Sequence, residues 1–229
     1  MNIAIIPARS GSKRIPGKNT KNFLTRPIIS YSIDAAIESN LFDEVMVSTD
    51  DESIALLSIS LGAKVPFLRS KENSSDTATT IDVVREVIDD YASIDVSFNT
   101  ICCLYPCAPF VSSSLLIKAY NKLLDNKFDC VFPVVKYGHP IQRALRVEPG
   151  NLVKMLNFEN MQIRTQDLED SYHDSGQFYF LDRRYINRAQ GLWSDNTGCV
   201  VLSELECHDI DNLDDWLIAE AKFRLAHDS

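Results

Sequence analysis

Residues 1–19 read MNIAIIPARSGSKRIPGKN, an apolar run that breaks into a loop carrying Arg9, Lys13, Arg14 and Lys18. Asn2 to Pro7 reads as a short buried strand, because its β-branched run stops at turn residues without taking up a helical period. A loop leaving the carboxyl end of a strand in an α/β sheet stands where such sheets bind ligands. Four cations gathered there, in a protein of net charge −9, point to an anion as the guest. Gly11 and Gly17 permit close backbone approach, Pro16 stiffens the turn, and flanking N–H groups can cradle phosphate oxygens. The competing reading is a solvated basic loop. A P-loop is excluded: five residues separate Gly11 from Gly17 where that motif has four, and Asn19 replaces the magnesium-binding hydroxyl.

Outward from the loop, Ile29, Ile33, Ala36 and Ile37 recur at helical offsets as far as Asn40. Glu44 to Ser48 reads as a second strand, Asp50 to Leu61 as a helix stopped by Gly62, and Lys64 to Leu68 as a third short strand. Alternation at this spacing predicts parallel pairing through right-handed crossovers, hence an α/β fold with a doubly wound, mostly parallel sheet. Arg69 to Thr80 has loop composition. Ile81 to Tyr91 (helix), Thr100 to Leu104 (strand), Ser113 to Asn126 (helix) and Cys130 to Val135 (strand) continue the pattern. Beyond Gly138 it stops. Ala144 to Glu148 and Leu152 to Leu156 flank Pro149-Gly150-Asn151 as a hairpin, so about 138–180 is expected to form a small antiparallel insertion in a single domain of 1–229. That insertion is either a dimer arm or a cover for the substrate.

A chain of 229 residues can bury one continuous core. Its acidic balance argues against nucleic acid, which needs a broad basic face, and against an acidic membrane surface. No apolar run approaches the roughly 18 residues of a spanning helix, and the first residues lack the order of a signal peptide; a cytoplasmic place is expected. Cys102, Cys103, Cys107, Cys130, Cys199 and Cys207 form no C-x-x-C pair and sit mostly in apolar runs, as buried thiols rather than zinc ligands.

Near the other end stands His208-Asp209-Ile210-Asp211, after a strand candidate at Cys199 to Leu202. In extended chain Asp209 and Asp211 face one side, roughly 6–7 Å apart, with Ile210 turned to the core. Two carboxylates facing a polyphosphate favour Mg²⁺, which takes one or two protein oxygens and fills its shell with phosphate and water. Alternatively Asp211 caps the helix starting near Leu213. The two roles are compatible.

The basic loop resembles the signature A-R-x-x-S-K-x-x-P-x-K-N of the sugar-activating cytidylyltransferases, which make CMP-sialic acid, CMP-KDO and CMP-pseudaminic acid. Ala8, Arg9, Ser12, Lys13, Pro16, Lys18 and Asn19 match it. The resemblance implies a Rossmann-like nucleotidyltransferase fold, with CTP phosphates held by Arg9, Lys13, Lys18 and Asn19 and the same loop supplying Ala8, Gly11, Ser12 and Arg14. Arg69, Asp76, Thr77, Ala78 and Thr80 resemble the family's cytosine-reading segment, implying that Arg69, Thr80 and the backbone of Ala78 meet the base. The family's terminal D-x-D supports Asp209 and Asp211 as metal ligands. Tyr105 departs from the Gln of sialic acid enzymes. Tyr105-Pro106-Cys107-Ala108-Pro109-Phe110 and the stretches 139–145, 164–168 and 172–179 resemble the pseudaminic acid branch instead.

A nine-carbon acidic sugar needs a cation for its carboxylate and hydrogen-bonding groups for its substituents. Arg164 is the candidate for the carboxylate, Gln142 and Tyr179 for the polyol, with Tyr105, Arg143 and Gln177 beside them; a surface ion pair is the competing role for either Arg143 or Arg164. His173 next to Asp174 reads as a structural pair and not as a general base. The resemblance therefore implies CMP transfer from CTP to the anomeric hydroxyl of a nonulosonic acid, with release of pyrophosphate. Arg9, Lys18, Asp209 and Asp211 are the expected catalytic set, Mg²⁺ the cofactor and a homodimer the assembly. Pseudaminic acid is the first substrate, N-acetylneuraminic or legionaminic acid the alternative. A nucleotide-binding regulator without turnover is opposed by the retention of both acids and every loop cation.

Overall fold

Along β1 (Asn2–Pro7), Ala4 and Ile6 enter one apolar cluster while Ile3 and Ile5 enter another. Alternation between two cores is the signature of a strand covered on both faces. The structure, a computed structural model, describes residues 1–227. After β1 come a small clip of β2 (Asn22–Phe23) and β3 (Arg26–Pro27), then α1 (Ile28–Glu38), β4 (Glu44–Ser48), α2 (Glu52–Ser60), α3 (Thr80–Ala92), β5 (Thr100–Leu104), α4 (Ser113–Asn126) and β6 (Cys130–Lys136). A second clip, β7 (Leu145–Glu148) and β8 (Leu152–Met155), precedes β9 (Tyr172–Asp174), β10 (Phe178–Asp182), the single turn α5 (Arg183–Ile186), β11 (Thr197–Leu202) and α6 (Leu213–His227).

The main sheet runs β11-β6-β10-β5-β1-β4, with β9 added beside β6. β4, β1 and β5 are parallel, as are β6 and β11, and β10 is wedged antiparallel between β5 and β6. Ile29 and Ile33 of α1 and Leu116, Ala119 and Leu123 of α4 cover one face; Ile81, Val84, Val87 and Ile88 of α3 cover the other. The doubly wound, mostly parallel sheet is as expected. Helix starts follow local chemistry: Asp51 accepts from the N–H groups of Ser53 and Ile54, and Thr79 with Asp82 forms a capping box at α3.

Two expectations change. Lys64 to Leu68 forms no strand but a single parallel bridge, Met46 to Lys64; Pro66 has no N–H with which to continue the ladder. The segment 138–180 divides, because β9 and β10 belong to the main sheet while the β7–β8 hairpin is a separate two-stranded unit. β10 is the interior strand that sequence reading missed. Phe178, Phe180 and Leu181 are fully buried in it.

A third apolar cluster lies outside the sheet and joins distant parts of the chain: Ile15, Phe23, Ile28, Tyr31, Ile210, Trp216 and Ala219. The Phe23 ring meets Tyr31, Trp216 and Phe223 edge-on at 5.6, 5.7 and 5.6 Å. Ile15 belongs to the basic loop and Ile210 to the D-x-D, and each is 1% exposed. Burial of one such side chain contributes roughly 1.5–3 kcal/mol.

Close packing at Gly198 offers a test of the β6–β11 edge. A Cβ there would stand 2.4 Å from ring atoms of Phe128. Gly198→Ala is expected to destabilise the fold by about 1–3 kcal/mol, as overpacked core sites do. Chemical denaturation measures this, and an unchanged midpoint would contradict the packing described.

Candidate active site

The loop after β1 is tied at both ends. Asn19 donates its amide N–H to the carbonyl of Arg9 (2.9 Å) and accepts from the Cys107 thiol (3.3 Å), so its side chain closes the loop on itself. Burial pushes that thiol up to about 12. With Ile15 buried beneath it, the loop presents Arg9, Gly11, Ser12, Lys13, Arg14, Lys18 and Asn19 around a cavity of about 420 Å³, whose far wall is Asp211. Arg14 reaches that wall, Nη1 lying 2.7 Å from Asp211 Oδ2. The two ends of the chain therefore meet across one cleft. Ala8 does not line it: its side chain is fully buried and its N–H bonds Ser48.

Arg9 and Pro7 also line a second cavity of about 190 Å³, with Arg69, Asp76, Ala78, Thr80 and Tyr105 on its walls. Arg9 and Lys13 both bind Asp76, at 2.8 and 2.5 Å. The Arg69 guanidinium bonds the hydroxyl and carbonyl of Ser48 at the end of β4, and burial lowers its pKa. The Thr80 and Tyr105 hydroxyls lie 3.0 Å apart.

On the other side, Asp209 borders a cavity of about 300 Å³ with Asp174, Ser175, His208, Glu204 and Lys222. Burial first, and then the charge of Asp211, raise the Asp209 pKa, while Lys18 opposes them. Gly176 leaves room beside that carboxylate; a Cβ there would stand 3.9 Å from its carboxyl carbon. Two repelling carboxylates with open space beside them fit a hard cation shared with a phosphate, since Mg²⁺ is seldom held by protein alone. Among the described residues no three His, Cys, Asp or Glu side chains converge on a metal.

The remaining candidates divide. Tyr179 is buried on β10, its ring edge-on to Tyr105 at 5.9 Å and its hydroxyl on Asp174; burial and then Asp174 raise its pKa. Arg143 and Arg164 line a larger cavity of about 920 Å³ between the end of β6 and the segment 164–171. That cavity shares Lys136, Tyr137 and Gly138 with the one at Asp209. Arg143 is engaged by the carbonyl of Ile163, and Gln142 donates to the carbonyl of Glu169 at 2.9 Å. Gln177 is a correction. It is 2% exposed and its amide donates to the carbonyl of Glu206 (2.9 Å), so it clasps β10 to the segment before Asp209 and lines none of these cavities. The His173 ring pairs with the backbone carbonyl of Asp174, not with its carboxylate.

Sequence reading missed Asp174, Ser175, Glu204, His208 and Lys222 as cavity residues, and gave Asp76 no role of its own. No spacing marks the first five for a cavity; the placing of β9 against β6 and of α6 against the site brings those five together.

Comparison with known proteins agrees with this geometry. The family model described as cytidylyltransferase matches residues 3–189. The pseudaminic acid cytidylyltransferase of Campylobacter jejuni is 38% identical over 228 residues, covering 100% of this chain and 98% of that protein. The CMP-N,N'-diacetyllegionaminic acid synthase of Legionella pneumophila is 32% identical over 226 residues, covering 97% and 96%. A solved structure of CMP:2-keto-3-deoxy-manno-octonic acid synthetase complexed with CTP shares the fold, with a TM-score of 0.71 at 16% identity and coverage of 100% and 99%. With relatives aligned from end to end, the protein belongs to the cytidylyltransferase family and is a nucleotidyltransferase.

Proposed function

We propose that the protein transfers CMP from CTP to the anomeric hydroxyl of a nonulosonic acid, pseudaminic acid first, and releases pyrophosphate. The observation that carries this reading is the contact of Arg14 with Asp211, which sets the basic loop and one of the two aspartates around one cavity, while Asp209 borders the next. Arg9, Lys13 and Lys18 hold the triphosphate, whose developing charge preorganised cations stabilise. Cytosine lies in the adjoining cavity, read by Arg69, Thr80 and the backbone of Ala78. Asp209 and Asp211 would hold Mg²⁺, which when bound supplies charge neutralisation at the phosphoryl oxygens. The sugar enters from the opposite side, through the two cavities that share Lys136 and Tyr137, with its hydroxyl held in line to the phosphate. Arg164 meets its carboxylate there.

The choice of sugar is supported by the Campylobacter relative and by Tyr105; the Legionella relative supports legionaminic acid as the second candidate. A cytoplasmic place accords with this substrate pair. No helix among the described residues is long and apolar enough to cross a membrane. A homodimer through the hairpin is part of the same proposal. Leu145, Val147 and Val153, which the hairpin register puts on one face, are each more than half exposed, and an apolar face of that kind needs a cover.

Pyrophosphate release from CTP and Mg²⁺ in the presence of pseudaminic, legionaminic or N-acetylneuraminic acid tests the reaction. The fastest turnover is expected with pseudaminic acid; turnover with N-acetylneuraminic acid alone would refute the sugar assignment. Asp209→Ala and Asp211→Ala are each expected to lower kcat by about 100- to 1000-fold, the scale of a lost transition-state charge contact. Undiminished rates in both would reduce the pair to a helix cap. For the assembly, Val147 and Val153 face each other across the hairpin. Val147→Glu with Val153→Glu is expected to give a folded monomer in sedimentation velocity, and an unaltered dimer would exclude this face.

A further inference from the structure

We infer that Asp76 is an internal competitor for the phosphate site, holding in the empty protein the two cations that polyphosphate must take, and thereby tuning capture of CTP and release of pyrophosphate. The inference rests on the nucleotide reading above and adds a residue to it. Asp76 Oδ1 lies 2.8 Å from Arg9 Nη1 and Oδ2 lies 2.5 Å from Lys13 Nζ, so one carboxylate spans two cations as a phosphate group would. Both cations line the basic-loop cavity. Asp76 itself lies on the wall of the neighbouring cavity, on the same loop as Ala78 and four residues before Thr80 at the start of α3.

Charge decides who wins. The three side chains are 40%, 79% and 54% exposed for Arg9, Lys13 and Asp76, and exposed ion pairs of this kind are each worth only about 0–1 kcal/mol. A triphosphate brings several negative charges against one, and displaces the carboxylate. The arrangement has a physical consequence at each end of the reaction. On arrival, CTP detaches Asp76 and frees its loop to settle on the base. On departure, pyrophosphate has no base to keep that loop engaged, and Asp76 returns to Arg9 and Lys13. A small anion of low charge gains little by displacing it.

Titration calorimetry with pyrophosphate and with CTP, on wild-type protein and on Asp76→Asn, tests the inference. Pyrophosphate is expected to bind the variant about three- to tenfold tighter, the range two exposed ion pairs can supply. Its inhibition constant against CTP should fall by the same factor, and the gain should shrink in a Lys13→Met background. A structural role for Asp76 would weaken both ligands instead, and unchanged or weaker pyrophosphate binding overturns the inference. Hydrogen exchange on the wild type gives an answer even where the variant folds poorly. Amides of 74–78 should exchange faster with saturating pyrophosphate and slower with CTP; protection by pyrophosphate would be incompatible with displacement. A wild-type protein that binds neither ligand overturns the nucleotide reading together with this one, whereas normal wild-type binding left unaltered by Asp76→Asn overturns this one alone.

Discussion

The site depends on a shared patch of core beneath its charges. Ile15, from the middle of the basic loop, and Ile210, from between the two aspartates, are buried in one cluster with Phe23 and Trp216. Four like-charged side chains on a short loop repel one another, and the main sheet holds that loop only at its start, through the bond of the Ala8 N–H to the Ser48 carbonyl. An apolar anchor of roughly 1.5–3 kcal/mol on each side of the cleft is of the size needed to keep both groups at their posts. The polar machinery is thus positioned by dry contacts that never touch a ligand. The aromatic clip around Phe23, with its edge-on neighbours, completes the anchor from α1 and α6.

Above the anchor, the resting electrostatics are arranged as a set of provisional pairings. Asp76 takes Arg9 and Lys13, and Asp211 takes Arg14, while Lys18 forms no ion pair among the described residues. Its charge opposes the rise that burial and Asp211 impose on the Asp209 pKa. Each pairing is exposed enough to be exchanged at small cost. Buried partners would have been far harder to separate, since an ion stripped of water and then of its counter-charge pays heavily. The protein keeps its cations solvated and temporarily matched, a condition suited to a ligand that comes and goes in every turnover.

Much of the parallel half of the sheet was legible. β1, β4 and β5 are short apolar runs bounded by turn residues, and α3 and α4 carry clean apolar stripes, so periodicity alone finds them. The Lys64 strand failed because one proline outweighs a favourable composition. β10 was lost for another reason: Phe178-Tyr179-Phe180-Leu181 is a continuous apolar run of the kind that interior strands show, yet it adjoins polar residues that resemblance had marked for the sugar. Gln177 illustrates the same trap, since a polar residue at the mouth of a strand serves the backbone as readily as a ligand. The cations of the loop were readable because they stand together in sequence. Their acidic partners, Asp76 and Asp211, come from loops far along the chain, and sequence spacing does not show which carboxylate such a loop will deliver.

The anchoring cluster has one more property. Of the two tryptophans, Trp193 is 61% exposed and Trp216 only 3%, and the latter donates its indole N–H to Glu220 at 3.1 Å beneath the Lys21 ammonium. Their emission should separate by colour, the buried indole to the blue. Because Trp216 shares a core with Ile15 and Ile210, any shift of the loop against the aspartates alters its surroundings. The molecule carries its own optical gauge of cleft geometry, readable without a label.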